Sequence, residues 1–452
     1  MQKTLSLLVL LIGDALLAVA GVYIGFLLRF GDGDPASLMD LPHMVAFIGV
    51  PLFFSYLFEL YNSEKQVKKR EVLLRSLAAI GVSFMTLTSV YYMMPAVKFG
   101  RGIFAISLAF FWVLQFLWHL CFSAFQNSSQ LARRVLVLGT GPLAKKVGDL
   151  IESTNHQHVL KGYVDLTGEP ITVPEYAIVG KGSSLFETIR FQKAHKLVIS
   201  LSERRGVLPL QVVLKCKMSG IEVIDATSFY EELTGKLLIE NITPSSFFFS
   251  DGFRITDTKR IFKRIFDILC SLAGMLITMP LLPLIAVLIK LDSRGPVLFR
   301  QNRVGEMEKE FMLYKFRTMR QDAEKGTGAV WAEKNDPRIT SIGGFLRKTR
   351  LDELPQFYNV LRGDMSFIGP RPERPEFVNK LKEIIPYYPE RHFVKPGLTG
   401  WAQIRYAYGA STEDAVEKLR YDLYYIKHLS LFLDMLVMLE TVKVMLFGKG
   451  AR

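Results

Sequence analysis

Residues 265–290 read IFDILCSLAGMLITMPLLPLIAVLIK, an apolar segment long enough to cross a lipid bilayer. Both of its flanks are basic, and basic flanks favour the cytosolic side of a membrane. Pro280 and Pro283 lie inside it, where each removes a helical hydrogen bond and kinks the helix. We therefore predict a re-entrant helix over about 261–290 that returns to the face it entered. The alternative is a fifth crossing with a proline kink, which would place the rest of the chain outside the cytosol.

The first part of the chain, residues 1–128, is also strongly apolar. It contains four hydrophobic stretches, at about 5–28, 42–60, 73–94 and 102–125. Each approaches the length needed to cross the hydrocarbon of a bilayer, about 20 residues. These stretches predict four transmembrane helices. Asp14, inside the first of them, is interpreted as a helix-contact residue, with a functional role as the alternative.

The charges in the connections predict the orientation of these helices. The connection 31–40 is acidic, whereas the connection 61–75 is rich in Lys and Arg. By the positive-inside rule, the N-terminus and everything after residue 126 should face the cytosol, although Lys98 and Arg101 count weakly against this. The N-terminal run lacks a small-residue cleavage site and is interpreted as a retained helix rather than a signal peptide.

Composition narrows the class of protein further. The chain has 452 residues, is 50% hydrophobic and carries a net charge of +13. A positive net charge in a membrane protein indicates that it functions near anionic lipid or on anionic substrates. No base-reading module is present in the sequence, so nucleic acid is not an expected partner. The three cysteines are scattered, which predicts neither disulfides nor a cysteine metal site.

A Rossmann-like middle domain is predicted over residues 129–252. The segment VLVLGTGPLAKKVGDLIE, 135–152, has the pattern of a strand, a glycine turn and a helix. Gly139 and Gly141 fit a G-x-G-x-x-A phosphate loop, and Asp165 ends a second strand where a ribose-binding acid would lie. Pro142 removes one amide donor from the loop. A nucleotide site and a scaffold used for packing or dimer contacts both remain open. Further strands are predicted at 162–166, 196–201 and 220–226.

The third domain, residues 253–452, contains an adjacent acid pair among many cations. Asp352 and Glu353 follow a basic run and precede the turn Gly369-Pro370-Arg371-Pro372. A carboxylate can accept a phosphoryl group covalently, and phosphoryl transfer depends on neutralising charge. The acid pair alone would also suit an ordinary helix with ion pairs and a surface turn. It is surrounded by five ordered blocks, at 299–305, 314–319, 335–356, 363–372 and 395–404.

From about Lys259 to the C-terminus, these blocks resemble the polyprenyl-phosphate hexose-1-phosphate transferases. These are monotopic phosphoglycosyl transferases that begin bacterial exopolysaccharide or O-antigen assembly. The four helices and the Rossmann-like domain further resemble the long form of that family, of the exopolysaccharide undecaprenyl-phosphate glucose phosphotransferase type. The ending TPSSFFFSDGF, 243–253, resembles the subgroup found beside exopolysaccharide clusters. The implied fold is membrane α plus α/β, with a monotopic α/β catalytic domain.

The resemblance also implies roles for individual residues. Asp352 matches the nucleophile that attacks the β-phosphorus of a UDP-sugar, and Glu353 matches the acid that assists proton transfer from undecaprenyl phosphate. Arg371 and Arg347 match residues that bind substrate phosphate. Pro280 matches the proline that breaks the re-entrant helix, although Met279 replaces the serine that often precedes it. The implied cofactor is Mg²⁺, with Asp352 as a candidate ligand, and the commonest donor of the long form is UDP-glucose.

Four further features have two interpretations each. Lys315 and Arg317 either bind phosphate, as nucleotide or lipid headgroup, or are solvated charges on a strand. Trp401 is placed at the membrane interface, with core packing as the alternative. The apolar segment 429–449 is interpreted as an interfacial amphipathic helix, with a core helix as the competing interpretation. The lone histidines, His392 and His428, are interpreted as packed or exposed rather than catalytic.

The leading hypothesis is thus a multi-pass enzyme of the bacterial inner membrane whose catalytic domain lies on the cytosolic face. A membrane-anchored scaffold that senses nucleotide through the glycine turn is the alternative from another class. An NAD-dependent sugar-modifying enzyme is disfavoured, because residues 133–250 contain no Tyr-x-x-x-Lys pair. The sequence names neither the sugar nor the pathway, and it leaves a homodimer open.

Overall fold

The computed structural model describes most of the chain as two compact units, Met1–Ala226 and Thr227–Arg452. Residues 32–39 of the acidic connection, residues 62–68 of the basic connection, Lys98 and most of the segment 243–253 lie outside the described residues. The described residues are 2–31, 40–61, 69–95, 99–126, 132–153, 158–166, 170–201, 208–241, 247, 252–321, 323, 336–406, 409 and 411–447.

The first unit begins with four helices. Three of them, over Ser6–Phe30, Lys69–Met93 and Arg101–Phe125, are long and apolar enough to cross a membrane. The second helix is apolar but shorter, at 17 residues. The N-terminal part is therefore helical and membrane-capable, as predicted. The full bounds are α1 Gln2–Phe30, α2 Leu41–Leu57, α3 Lys69–Met93 and α4 Arg101–Gln126.

Asp14 joins these helices to one another. Its fully buried carboxylate accepts hydrogen bonds from Tyr61 Oη at 2.7 Å and Gln115 Nε2 at 2.5 Å. His119 Nε2 lies 3.1 Å from the same oxygen, and Gln115 also donates to Ser55 Oγ at 3.0 Å. Ionisable groups inside apolar helices face such interior partners because lipid does not solvate them. The interpretation of Asp14 as a helix-contact residue is confirmed.

A five-stranded parallel sheet follows, in the order β3-β2-β1-β4-β5. This alternation of strands and helices on a parallel sheet is the Rossmann-like arrangement that the sequence predicted. The sequence missed the third strand because four residues are too few to show a period. The elements are β1 Arg133–Leu138, α5 Pro142–Ser153, β2 His158–Asp165, β3 Ile178–Lys181, α6 Leu185–Phe191, β4 Lys196–Ile199, α7 Leu210–Met218 and β5 Glu222–Asp225.

The second unit opens with α8 (Ala226–Thr234), whose first residue lies at the boundary, and then a broken helix. Helix α9, Asp257–Thr278, begins at Thr256, whose hydroxyl accepts from the amide of Lys259. Helix α10, Leu281–Asp292, starts directly after Pro280 and is bent by 63° from α9. The interruption thus falls at the proline where the sequence predicted a break. Taken together, the two helices are apolar and long enough for a broken span or a re-entrant loop.

The remaining elements surround a core of buried apolar side chains. An antiparallel hairpin, β6–β7, and a short parallel pair, β8–β9, lie among helices. The bounds are β6 Leu298–Val304, β7 Glu310–Phe316, α11 Ser341–Thr349, α12 Gln356–Arg362, β8 Ser366–Ile368, α13 Pro375–Ile384, β9 Gly397–Thr399, α14 Trp401–Arg405, α15 Thr412–Lys427 and α16 Leu431–Phe447.

One interfacial interpretation from the sequence, that of Trp401, is wrong. Trp401 is 5% exposed, stacks on Tyr424 and donates its indole N–H to the carbonyl of Gly235 at 2.8 Å. Helix α16 buries Leu433 and Val437 in the core, whereas Leu431, Phe432 and Met435 are exposed. Its interfacial placement therefore stays a prediction. The error at Trp401 arises because an amphipathic residue shows the same pattern at a membrane and against a protein core.

Candidate active site

The acid pair lies in a tight turn between two helices. Helix α11 ends at Arg350, which adopts a left-handed conformation with φ of 60°. A single turn of 3₁₀-helix, Leu351–Glu353, then carries both carboxylates, and α12 follows. Left-handed backbone costs a non-glycine residue about 1–2 kcal/mol, and such strain clusters at functional sites. The acid pair therefore lies on a buried 3₁₀ turn and not on the exposed face of an ordinary helix.

Glu353 is held by two arginines. Arg371 Nη2 donates to Glu353 Oε1 at 3.0 Å, and Arg350 Nη1 donates to the same oxygen at 3.3 Å. Burial alone would raise the pKa of Glu353, but the charges of Arg371 and Arg350 outweigh it and hold the pKa below the ordinary glutamate value. Glu353 is thus an ionised carboxylate of fixed orientation.

The pKa of Asp352 is shifted in the opposite direction. Its burial and the neighbouring charge of Glu353 raise its pKa to about 6, against the lowering influence of Lys315, Arg371 and Arg347. Desolvation outweighs the nearby cations, so the pKa of Asp352 lies above the ordinary aspartate value. At neutral pH, which is above this pKa, Asp352 is still deprotonated in most protein molecules.

Lys315 lies in the same cluster of charges. It is half-buried on β7, and burial, followed by repulsion from Arg303, lowers its pKa to about 8. Asp352 acts against this lowering, while Arg347 and Arg371 add to it. The alternative of a solvated charge on an open strand does not fit a lysine with these neighbours. An anionic ligand at this cluster would favour the protonated lysine.

The two remaining predicted phosphate ligands differ in their contacts. Arg347 Nε donates to Thr318 Oγ1 at 2.9 Å, and the charge of Arg347 reaches both Asp352 and Lys315. Arg317 instead donates to the carbonyls of Ser293 and Arg294, at 2.6 and 2.9 Å. Through these contacts, Arg317 stabilises the backbone at the end of α10. Its role as a phosphate ligand stays a prediction that they do not support.

Arg371 completes the cluster from the Gly369–Pro372 turn. Besides Glu353 it contacts Gln403, donating from Nη1 to Oε1 at 2.9 Å. Its side chain is nevertheless 39% exposed. Glu353 and Gln403 therefore orient the guanidinium, and part of the side chain is exposed. Because guanidinium groups bind phosphate through paired N–H donors, Arg371 stays a candidate phosphate ligand.

Asn359 is a buried residue of the site that the sequence analysis missed. Its Nδ2 donates to the carbonyl of Met312 at 2.7 Å, and its Oδ1 accepts from the amide of Tyr314 at 3.1 Å. The amide thus ties the helix that follows the acid pair to the strand that carries Lys315. No signal in one sequence separates this asparagine from a surface one.

Arg264 adds a second link to the same helix. It donates to the carbonyls of Val360 and Leu361, at 2.6 and 2.7 Å. The sequence treated this arginine only as part of a basic flank. In the structure it satisfies the last carbonyls of α12, a favourable place for a cation. The broken apolar helix and the acid pair are therefore linked directly.

The predicted nucleotide turn of the middle sheet is bonded to the protein around it. Gly139, with φ of 120°, donates its amide to the carbonyl of Val164 at 2.9 Å. The carbonyl of Thr140 accepts from the amide and hydroxyl of Thr172, at 2.9 and 3.0 Å. The hydroxyl of Thr140 lies 3.4 Å from Asp165, the predicted ribose ligand. Gly141 continues into α5. Nucleotide binding here stays a prediction.

The acid pair also bears on the predicted Mg²⁺. Among the described residues there is no group of three or more acidic, histidine or cysteine side chains placed to hold a metal. Mg²⁺ usually binds one or two carboxylates together with substrate phosphates and water. Arg371 and Arg350 engage Glu353, so Asp352 is the carboxylate of the pair that fits such a site.

Comparisons with known proteins identify relatives of the part of the chain that contains this site. Residues 258–448 match the family model "Bacterial sugar transferase". The chain is 43% identical over 238 residues to a UDP-N-acetylgalactosamine-undecaprenyl-phosphate N-acetylgalactosaminephosphotransferase of Aeromonas hydrophila, covering 53% of this chain and 55% of that protein. It is 46% identical over 169 residues to a UDP-glucose:undecaprenyl-phosphate glucose-1-phosphate transferase of Xanthomonas campestris, covering 37% of this chain and 35% of that protein.

A shorter relative is covered almost completely. The exopolysaccharide production protein PSS of Rhizobium leguminosarum is 45% identical over 196 residues, which are 42% of this chain and 98% of that protein. The matched region therefore spans about half of the Aeromonas protein but nearly the whole Rhizobium protein. The family match begins within α9 and ends just beyond α16, so it contains the broken helix and the acid pair. The chain belongs to the bacterial sugar transferase family.

Proposed function

We propose that this protein transfers a hexose 1-phosphate from a UDP-sugar to undecaprenyl phosphate and releases UMP. The observation that carries the proposal is the burial of Asp352 and Glu353 beside Lys315, Arg347 and Arg371. The reaction brings two anionic substrates together, and phosphoryl transfer depends chiefly on positioning and on neutralising charge. A buried carboxylate among fixed cations meets both needs.

Asp352 is the nucleophile of the first step. One of its carboxylate oxygens attacks the β-phosphorus of the UDP-sugar and forms a new P–O bond. The bond from that phosphorus to the oxygen that bridges it to the α-phosphate breaks, and this oxygen leaves with UMP. Asp352 keeps the sugar phosphate as an acyl phosphate, as carboxylate nucleophiles do in aspartyl-phosphate enzymes.

The second step returns Asp352 to its free form. A phosphate oxygen of undecaprenyl phosphate attacks the phosphorus of the acyl phosphate, and the bond to Asp352 breaks. The product is undecaprenyl diphosphate sugar. Glu353, assigned by resemblance to accept a proton from the lipid phosphate, has a lowered pKa and is a weak base at neutral pH. Its bonds to Arg371 and Arg350 support a second role, the orientation of Arg371.

Mg²⁺ is the proposed cofactor, with Asp352 as its protein ligand. When bound, the ion would neutralise part of the diphosphate charge. The cations Lys315, Arg347 and Arg371 act on the same charge without it, because the charge of each reaches Asp352.

The membrane arrangement is part of the proposal. Helix α2, with 17 residues, is at the lower end of the length that can span a bilayer, and we propose it as a fourth crossing. The basic flanks and the 63° bend of α9–α10 support a re-entrant pair rather than a crossing. The catalytic domain would then lie at the cytosolic face of a bacterial inner membrane.

The donor sugar has two leading candidates, and UDP-galactose is a third possibility to be tested. UDP-glucose is the donor predicted from the long form, and the name of the Xanthomonas relative supports it. UDP-N-acetylgalactosamine is the competitor, because the Aeromonas relative named for it matches over the longer stretch. The name of the Rhizobium relative supports exopolysaccharide assembly as the pathway, with this transfer as its first membrane step. A homodimer stays a prediction.

The test is UMP release by the purified protein in nanodiscs with undecaprenyl phosphate and Mg²⁺. UDP-glucose, UDP-galactose and UDP-N-acetylgalactosamine would be supplied in turn. We expect UMP from one donor, and none when EDTA removes the metal. A folded protein that releases no UMP from any donor would favour the scaffold that senses nucleotide through the Gly139–Gly141 turn.

A further inference from the structure

The turn that carries Arg371 is held by its carbonyl groups. Pro370 and Pro372 have no amide hydrogen, so carbonyls are the main backbone groups by which this turn can be fixed. Four consecutive carbonyls each accept a hydrogen bond from another part of the second unit. The donors are Gly397 N to Pro370 at 2.8 Å, Arg391 Nη2 to Arg371 at 3.0 Å, Arg303 Nη1 to Pro372 at 3.1 Å and Val304 N to Glu373 at 3.0 Å.

Arg391 makes one of these four bonds from a buried position. Its side chain is 5% exposed and comes from the turn Pro389–Phe393. Nε and Nη2 both donate to Asp422 Oδ2, at 3.2 and 2.8 Å, and Nη1 donates to Tyr388 Oη at 2.8 Å. Asp422 is itself 2% exposed. The guanidinium therefore has one orientation, and in that orientation Nη2 also meets the carbonyl of Arg371.

We propose that Arg391 is a positioning residue for Arg371. By holding the backbone carbonyl of Arg371, it directs the opposite side of that residue, the guanidinium, towards Glu353 and the substrate phosphate. The inference rests on the proposed function, since the contact of Arg371 with phosphate belongs to it. A displacement of about 1 Å in a positioned catalytic group lowers rates about 100-fold, so a backbone anchor has a measurable effect.

The fork of the guanidinium explains why an arginine is present. Three acceptors surround it: Asp422, Tyr388 and the carbonyl of Arg371. A lysine presents one nitrogen, which can keep the ion pair with Asp422 but cannot reach all three acceptors in the same geometry. Arg391→Lys therefore keeps the buried charge pair and loses the anchor. This substitution separates positioning from charge neutralisation.

The experiment measures sugar transfer to radiolabelled undecaprenyl phosphate by the full chain in nanodiscs. The test variants are Arg391→Lys and Asp422→Glu, which keep the charge pair and move the donor away from the carbonyl. Arg420→Lys is the matched control, because Arg420 lies on the same helix as Asp422 and pairs with Glu417 and Glu240 instead. Each test variant is also made with Arg371→Lys, and thermal unfolding is measured for all proteins.

We expect Arg391→Lys to lower kcat/KM by at least tenfold, with unfolding close to that of the unsubstituted protein, and Arg420→Lys to change it less than twofold. With Arg371→Lys already present, Arg391→Lys should cause less than a twofold further loss, since the two act on one contact. A folded test variant that keeps its activity overturns the proposal. So does an equal loss in both backgrounds, or failure of both test variants to fold. An unsubstituted protein that is itself inactive would instead overturn the proposed function.

Discussion

Two turns of this protein look alike in sequence and differ in what they offer a ligand. Gly139–Pro142 follows β1 of the five-stranded parallel sheet. Gly369–Pro372 follows β8 of the two-stranded parallel sheet β8–β9. The sequence predicts a phosphate contact at both. In the first turn, the carbonyl and hydroxyl of Thr140 face Thr172 and Asp165. In the second turn, the carbonyls are bonded and the side chain of Arg371 is partly exposed.

The difference shows that a glycine-rich turn is weak support for phosphate binding. What matters is whether a charged side chain is exposed after the backbone has been satisfied. Arg371 is such a residue, because 39% of its side chain is exposed. The following changes test whether catalysis depends on the second turn and the acid pair, and not on the first turn.

The largest effect should come from replacing the nucleophile. Asp352→Asn removes the carboxylate that accepts the phosphosugar, and loss of a nucleophile costs on the order of 10⁴-fold or more in kcat. Asp165→Asn is the matched change at the other turn and should alter the rate less than twofold. UMP release in nanodiscs measures both. A large loss with Asp165→Asn would show that the first turn takes part in the reaction.

Arg371→Ala should have the next largest effect. The change removes an oriented cation that stabilises the negative charge developing on the phosphate in the transition state. Loss of one such donor costs about 10²–10³-fold in kcat. Arg371→Lys should lose less, because it keeps the charge but not the paired donors. The same UMP assay, with KM for the UDP-sugar, gives the comparison. Equal rates for the alanine variant and the unsubstituted protein would exclude Arg371 from the site.

The pH dependence should follow Asp352. Its pKa is raised to about 6, and the nucleophile is the deprotonated form, so activity is present above that pH and falls as the pH decreases through it. Below pH 6, kcat/KM should fall about tenfold per pH unit. Glu353→Gln removes one cause of the raised pKa and should move this limb to lower pH. A profile that is flat down to pH 4.5 would contradict the assignment of Asp352.

Gly139→Ala tests the structural role of the first turn. Gly139 has φ of 120°, a conformation that side chains disfavour at a cost of about 1–3 kcal/mol. We expect the free energy of unfolding to fall by about that amount, while UMP release per folded molecule is unchanged. Chemical denaturation followed by circular dichroism measures the stability. Gly220→Ala, at φ of 89° outside both turns, is a control for strain alone.

The smallest expected effect belongs to Trp401→Phe. The change removes the hydrogen bond to Gly235 and keeps an aromatic ring against Tyr424. Loss of one such bond lowers stability by about 0.5–1.5 kcal/mol. Thermal unfolding and binding to lipid vesicles distinguish a core position of Trp401 from a position at the membrane interface. Weaker vesicle binding with unchanged stability would restore the interfacial interpretation.

Much of the fold could be predicted from periodicity and charge. The apolar helices, the parallel sheet and the break at Pro280 each follow from local patterns that act over one element. Trp401 was misplaced because its pattern does not say whether lipid or protein covers an apolar face. Whether protein covers such a face is determined by residues that are distant in the sequence.

The site was predictable only in part, for the same reason. The Asp352–Glu353 pair and Arg371 stand out as charges beside turns. Arg391 and Asn359 act through backbone groups on other elements, and nothing near them in sequence marks that role. The raised pKa of Asp352 was also beyond reach, because it depends on burial, which a count of nearby cations does not include.

The most direct test of the proposed reaction is to incubate the purified protein with its UDP-sugar and Mg²⁺ in the absence of undecaprenyl phosphate. Covalent catalysis by Asp352 predicts a burst of UMP that is stoichiometric with protein. Mass spectrometry of the digested protein should then find a phosphosugar on the peptide that contains Asp352, and adding the lipid should remove it. UMP release that begins only when the lipid is added, with no modified peptide, would contradict the covalent mechanism and favour direct transfer between the two substrates.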